Sequence, residues 1–233
     1  MEGGIPLDTA ENVNILYEDA ALVIAEKPAG MPSQPDPSGQ QDLYSVLSAS
    51  RPGLSLVHRL DTPTGGVMVF GKTPQAAAAL SAAVQDHNVF IKEYLCVLSN
   101  APDEPEGEMT DLLYHDSAKN KTYPVDRKRA GAKSARLAYR VVTTLPDRHT
   151  LVLVRLYTGR THQIRAQFAA RGLPLVGDGK YGSREKAPSL ALWAVRLTFP
   201  HPLTRKPVQA VSLPDNTRSP WSAFDSEAWN NVL

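Results

Sequence analysis

The apolar runs of this chain are short and set between Gly, Pro and polar clusters. Strand-like runs occupy residues 14–17, 21–26, 67–70, 91–98, 135–144, 150–156, 190–199 and 207–213. The first two flank Glu18-Asp19 and suggest a hairpin. Helical spacing appears in 42–49, in 73–85 and in 161–171. Thr73 ahead of Pro74 gives the second helix a hydroxyl cap and a proline at its first position. Thr161 is read as the cap of the third, and Gly172 as its end. Residues 101–108, rich in prolines and acids, read as a loop. Many strands with few helices argue for an α+β fold with a mostly antiparallel sheet.

Of the 233 residues, 42% are hydrophobic and 21% charged, which is enough apolar material for an ordinary globular core. Lys and Arg number 25 against 24 Asp and Glu, so overall charge does not announce a nucleic-acid binder. Local charge is uneven. Residues 119–140 hold eight basic side chains against Asp126 alone, while 103–111 hold five acids and no base. The near-neutral total is therefore read as concealing a polarised molecule. A single cysteine, Cys96, excludes an internal disulfide framework and a cysteine-cluster zinc site, and its apolar neighbours mark a packed thiol. There is no basic, then apolar, leader and no apolar run near the ~20 residues that span a bilayer. A cytoplasmic protein is expected, with residues 1–12 a flexible segment ahead of one domain over 13–233.

The segment His58-Arg59-Leu60-Asp61-Thr62-Pro63-Thr64-Gly65-Gly66 carries the chemistry. It sets one carboxylate in a stiff turn beside a cation, just before an apolar strand. An ionised Asp in such a place can act as a nucleophile or as a base; alone, it could equally cap its own turn. Three further stretches stand out: Glu26-Lys27-Pro28-Ala29-Gly30, Lys92-Glu93-Tyr94, and Thr158-Gly159-Arg160-Thr161-His162-Gln163-Ile164-Arg165. Gly177-Asp178-Gly179-Lys180-Tyr181-Gly182 follows them and reads as a structural corner. His58 and His162 lack the spacing of metal ligands and read as hydrogen-bonding residues that fix loops.

In this order, from about residue 14 to 213, the set resembles the RluA-type pseudouridine synthases. His58 to Gly66 meets their His-Arg-Leu-Asp-x-x-Thr-Ser-Gly pattern at all but one position, and Gly159 to Gly182 meets the later ones. The resemblance implies a single α+β catalytic domain, with a long, mixed, mainly antiparallel sheet and a central active-site cleft. It implies isomerisation of specific uridines in structured RNA, ribosomal or transfer, without cofactor or metal. Asp61 falls on the catalytic Asp, Arg165 on its basic partner, and Tyr94 on the aromatic residue that stacks on the extruded uracil. Arg59 falls where relatives fill the gap left by the flipped nucleotide, and otherwise reads as a phosphate contact or loop salt bridge.

Thr64, Gly65 and Gly66 shape the turn. Gly159-Arg160 reads either as a phosphate contact at a helix entry or as a plain entry. The 119–140 stretch, with Lys128 and Arg129 at its centre, is the candidate for RNA backbone contact, and a solvated face is its other reading. Gly65 departs from the family's Ser, which implies a freer, less rigid loop. No S4-like domain is expected, and a monomer is. The alternative function is an RNA-binding or RNA-folding protein of this fold that has lost the isomerase activity. A hydrolase using Asp61 lacks a second carboxylate at suitable spacing.

Overall fold

The computed structural model describes residues 13–232; the 1–12 segment lies outside the described residues. β1 (Ile15–Glu18) and β2 (Leu22–Lys27) form the expected hairpin. The Asp19 carboxylate closes its turn by accepting from the Ala21 and Leu22 amides at 2.7 and 3.0 Å. Asp42 and Thr73 cap α1 (Leu43–Ser48) and α2 (Pro74–Gln85) through their side chains. Between the two helices lie β3 (Ser55–Leu56) and β4 (Gly65–Gly71). β5 (Ile91–Leu98), β6 (Glu106–Asp116), β7 (Lys121–Pro124), β8 (Lys133–Thr144) and β9 (Thr150–Leu156) follow. After α3 (Gln163–Ala169) come β10 (Leu192–Pro200), β11 (Pro207–Val211) and the short α4 (Ser226–Asn230).

One sheet takes up all eleven strands, in the order β1-β2-β4-β10-β5-β9-β8-β6-β7, with β11 on β10 and β3 on β4. β4 and β10 run parallel; the other pairs among the described residues are antiparallel. The fold is thus α+β with a mixed, mainly antiparallel sheet. The ladder between β4 and β10 pairs Gly65 with Trp193 and Gly66 with Ala194. Beyond that point β11 takes up the rest of β10, and β3 the end of β4. α2 packs Leu80 and Val84 on one side of the sheet, whereas α1 and α3 cover the other with Leu43, Leu47, Ile164 and Phe168. Cys96 is fully buried there, and burial pushes its thiol well up.

Gly65 is not the loosened loop residue expected. It opens β4, and a Cβ there would stand 2.1 Å from the Trp193 ring. On Gly66, at φ +118°, a Cβ would stand 2.2 Å from the Ala194 carbonyl. The hydroxyl missing at Gly65 is replaced by an indole packed on bare backbone.

Three other expectations change. Residues 106–116, of which 106–108 were read as loop, form the longer strand of an edge hairpin whose inward positions are mainly Met109 and Leu113. Its apolar residues, Met109 and then Leu112, Leu113 and Tyr114 in a run, show no alternation to read. The acidic and basic stretches lie side by side rather than apart: β6 pairs with β8, and Glu108 binds Arg136 at 2.8 Å. Finally, α3 starts later than expected. His162, at φ 54°, precedes it, and Thr161 caps nothing. The Gln163 side chain instead ties the approach to the helix, accepting from the Arg160 amide at 3.1 Å and the Thr158 hydroxyl at 2.7 Å.

Candidate active site

Asp61 begins a tight turn: the Thr64 N–H donates to the Asp61 carbonyl at 2.9 Å. Among the described residues no loop amide is spent on the Asp61 carboxylate, so it does not serve as a turn cap. Its side chain is 29% exposed and faces a cavity of about 240 Å³. His58, Arg59, Asp61, Thr64, Tyr94, Arg160 and Arg165 all line that cavity. Lys128 and Arg129 do not. They stand exposed on the turn between β7 and β8, with the Arg129 guanidinium 3.8 Å from the centre of the Tyr114 ring.

The Asp61 loop is locked from below by Lys27, a residue to which sequence reasoning gave no role. Its side chain is 0% exposed. Nζ donates to the Pro28 and Thr62 carbonyls at 3.0 and 3.1 Å, and also to that of Met31. One ammonium thereby ties the turn after β2 to the turn that carries Asp61. Burial brings this lysine down to about 7, with the Asp61 charge opposing the shift. The Ser33 hydroxyl adds a second tie, donating to the Leu60 carbonyl at 2.7 Å and accepting from the Leu60 amide at 3.0 Å.

Arg165 comes from the first turn of α3. Its firm partner is not Asp61, as expected, but Asp178. Nε and Nη2 reach the two Asp178 oxygens at 2.7 and 2.8 Å, both residues being buried. Nη1 then stands 3.9 Å from Asp61 Oδ2. Burial alone would lower the guanidinium, but the hydrogen bonds and charge of Asp178 raise it, and it stays charged. A bidentate fork fixes the arginine in place, so that its remaining nitrogen is aimed at Asp61 without a bond that would consume the carboxylate. The Gly177–Gly182 corner is therefore a support of the site.

His162 approaches the same carboxylate, with Nε2 at 3.7 Å from Oδ2. The Tyr181 hydroxyl accepts the Thr122 N–H at 2.8 Å and lies 3.1 Å from His162 Nδ1. The contact at Nδ1 holds the ring with Nε2 toward Asp61. Burial lowers His162 to about 4, so it is neutral at ordinary pH. His58 is neutral too: its Nε2 accepts the Val69 N–H at 3.1 Å, and burial, then the Lys92 charge, bring it to about 3. Through these bonds both histidines tie neighbouring segments together; the left-handed backbone that lets His162 face Asp61 had no signal in the sequence.

Tyr94 lies on β5, with the ring buried and the hydroxyl pushed upward by burial and then by the Asp61 charge. It remains a phenol. The Thr64 hydroxyl is buried at the cavity wall with no partner among the described residues. A nucleoside-sized hollow thus holds a half-buried carboxylate, a fixed guanidinium, a neutral aromatic hydroxyl and an unsatisfied hydroxyl.

The Asp61 turn thus leads into β4 where that strand meets β10, within one long mixed sheet. The sequence pattern of the family described as RNA pseudouridylate synthase matches residues 21–170, and the chain belongs to that family. It is 36% identical over 203 residues to an uncharacterized RNA pseudouridine synthase of Aquifex aeolicus, covering 78% of this chain and 61% of that one. It is 33% identical over 220 residues to the ribosomal large subunit pseudouridine synthase D of Zymomonas mobilis, covering 84% and 67%. The chain thus spans about two thirds of these relatives' length. The structure of human RNA pseudouridylate synthase domain containing 1 superposes with a TM-score of 0.76 at 23% identity, over 96% of this chain and 90% of that one, which shows the shared fold.

Proposed function

We propose that this chain converts uridine to pseudouridine in structured RNA, with Asp61 as the catalytic carboxylate. The observation that carries the proposal is the placement of Asp61 in a cavity sized for one nucleoside, 3.9 Å from a guanidinium that Asp178 holds still. The reaction detaches uracil from C1′ of its ribose, turns it and rejoins it through C5. A carboxylate against the sugar can attack as nucleophile or start the elimination as base. Tyr94 supplies a ring for the extruded uracil to stack on. Its hydroxyl is a hydrogen-bond donor at neutral pH, not an anionic base. The unsatisfied Thr64 hydroxyl suits a polar edge of the nucleoside. Arg59, exposed at the rim, suits the gap that base extrusion leaves.

We read the target as ribosomal RNA of the large subunit, because several relatives at 32–36% identity carry that activity in their names. The protein would act in the cytoplasm; among the described residues no helix is long and apolar enough to cross a membrane. An RNA-binding role without isomerisation would need neither the aimed Arg165 nor the buried phenol, and nothing in the site favours it.

RNA labelled with tritium at uridine C5 tests the proposal. Wild type should release tritium to water from large-subunit ribosomal RNA and release none from transfer RNA. Turnover by Asp61→Ala would remove the carboxylate from the mechanism, and no release from any RNA would overturn the activity itself.

A further inference from the structure

The cavity has a second pole that this chemistry does not use. Lys92 lies two residues before Tyr94 on β5, so both side chains leave the same face of the strand. It lines the cavity and is only 8% exposed. Among the described residues its Nζ has no carboxylate partner and no hydrogen-bond acceptor. Its recorded contact is with the Phe90 ring, 5.5 Å from the centroid. Lys27, by contrast, spends its buried ammonium on three carbonyls. The Asp61 charge bears on Lys27, Tyr94, His162 and Arg165. Lys92 answers to burial alone, which holds it down to about 8.

The surroundings of Lys92 are cationic. Nζ stands 3.8 Å from where a Cβ on Gly159 would be, beside Arg160, whose exposed guanidinium lines the same cavity. The charges of Lys92 and Arg160 both bear on His87, whose buried Nδ1 has no partner. Asp86 opposes them there, with its Oδ1 accepting the Asn88 N–H at 3.0 Å. A desolvated ammonium without an anion is costly and is kept where an anion arrives. The anions of an RNA strand are its phosphodiesters.

We propose that Lys92, seconded by Arg160, is a phosphate-binding subsite of the cavity, and that it seizes a phosphodiester flanking the extruded uridine. The inference rests on the isomerase reading above. The nucleotide would be held at two points, base and sugar against Tyr94 and Asp61, phosphate against Lys92. Holding both ends converts a loosely placed ribose into an aligned one.

The test pairs Lys92→Met with RNA in which one flanking phosphate, 5′ or 3′ to the target uridine, is a neutral methylphosphonate. For wild type, one of the two substitutions should lower kcat/KM by about tenfold to a hundredfold, the worth of a charge-assisted contact. Lys92→Met should lose a similar factor on unmodified RNA, and little more when that phosphate is also neutral. Losses that multiply at both linkages would overturn the proposal, as would an undiminished Lys92→Met. Because Met removes a buried, unpaired charge, its thermal midpoint should equal or exceed that of wild type; unfolding would show the lysine to be structural and overturn the proposal too. Lys92→Arg should restore most of the activity. Wild type that never isomerises uridine would sink the isomerase reading instead, a result distinct from all of these.

Discussion

At the scale of single residues, the proposed site leaves Asp61 spare. Arg165 is bonded to Asp178, His162 to Tyr181, and Lys27 to carbonyls, so that each is fixed without occupying the carboxylate. Removing Asp178 should therefore harm both stability and rate. Asp178→Ala leaves a buried guanidinium short of its partner, a loss of about 3–5 kcal/mol in urea unfolding, and kcat should drop with little change in RNA affinity. Unchanged kcat would mean that Arg165 needs no fixing. Tyr94 separates stacking from proton chemistry. Tyr94→Phe should bind RNA as wild type does, whereas Tyr94→Ala should lose about 1–3 kcal/mol of affinity. Equal affinities for the two variants would deny the stacking role. Asp61, Tyr94 and Arg165 were legible through the ordered motifs. Asp178 was visible only as part of a corner, since nothing in its sequence spacing aims a carboxylate at a helix thirteen residues back.

At the scale of elements, the parallel contact of β4 with β10 is the joint of the site. It places the Asp61 turn against β10 and β5, and it depends on Gly65 lying under Trp193. Gly65→Ser, although it restores the family's usual residue, should destabilise by about 1–3 kcal/mol through overpacking. In a Trp193→Val background the same change should cost far less, because the two positions are coupled. Additive losses in calorimetry would show that the indole is not the reason for the glycine. Strands β5 and β9 and the helix α2 were readable to the residue, since apolar runs and a Thr-Pro cap speak locally. The β6–β7 hairpin was not, for most of its side chains are only half-buried and its apolar residues do not alternate. The start of α3 was not, because a left-handed His has no compositional mark.

At the scale of the whole molecule, charge and buried imidazoles set the response to solution conditions. His58 and His162 are held at about 3 and about 4, below the ordinary 6.5, mainly by burial. The unfolded chain therefore binds more protons between pH 6.5 and 4. Stability present above pH 6.5 should be lost as pH falls through that range, by up to about 1.4 kcal/mol per pH unit for each histidine. His58→Gln should flatten that slope in urea titrations from pH 7.5 to 4.5, and a parallel slope would refute the assignment. The charge asymmetry read from the sequence shrinks in three dimensions, since β6 acids lie along β8 bases. What stays exposed is the turn bearing Arg127, Lys128 and Arg129. Reversing Lys128 and Arg129 to Glu should weaken RNA binding and flatten its salt dependence; an unaltered slope would place RNA elsewhere.

The claim at the centre is that one carboxylate makes the chemistry while the rest of the cavity holds the nucleotide. Single-turnover isomerisation and RNA binding by Asp61→Asn, measured on the same preparation, address it together. Wild-type RNA affinity with no detectable pseudouridine is expected. Pseudouridine formed at a rate near that of wild type would contradict it.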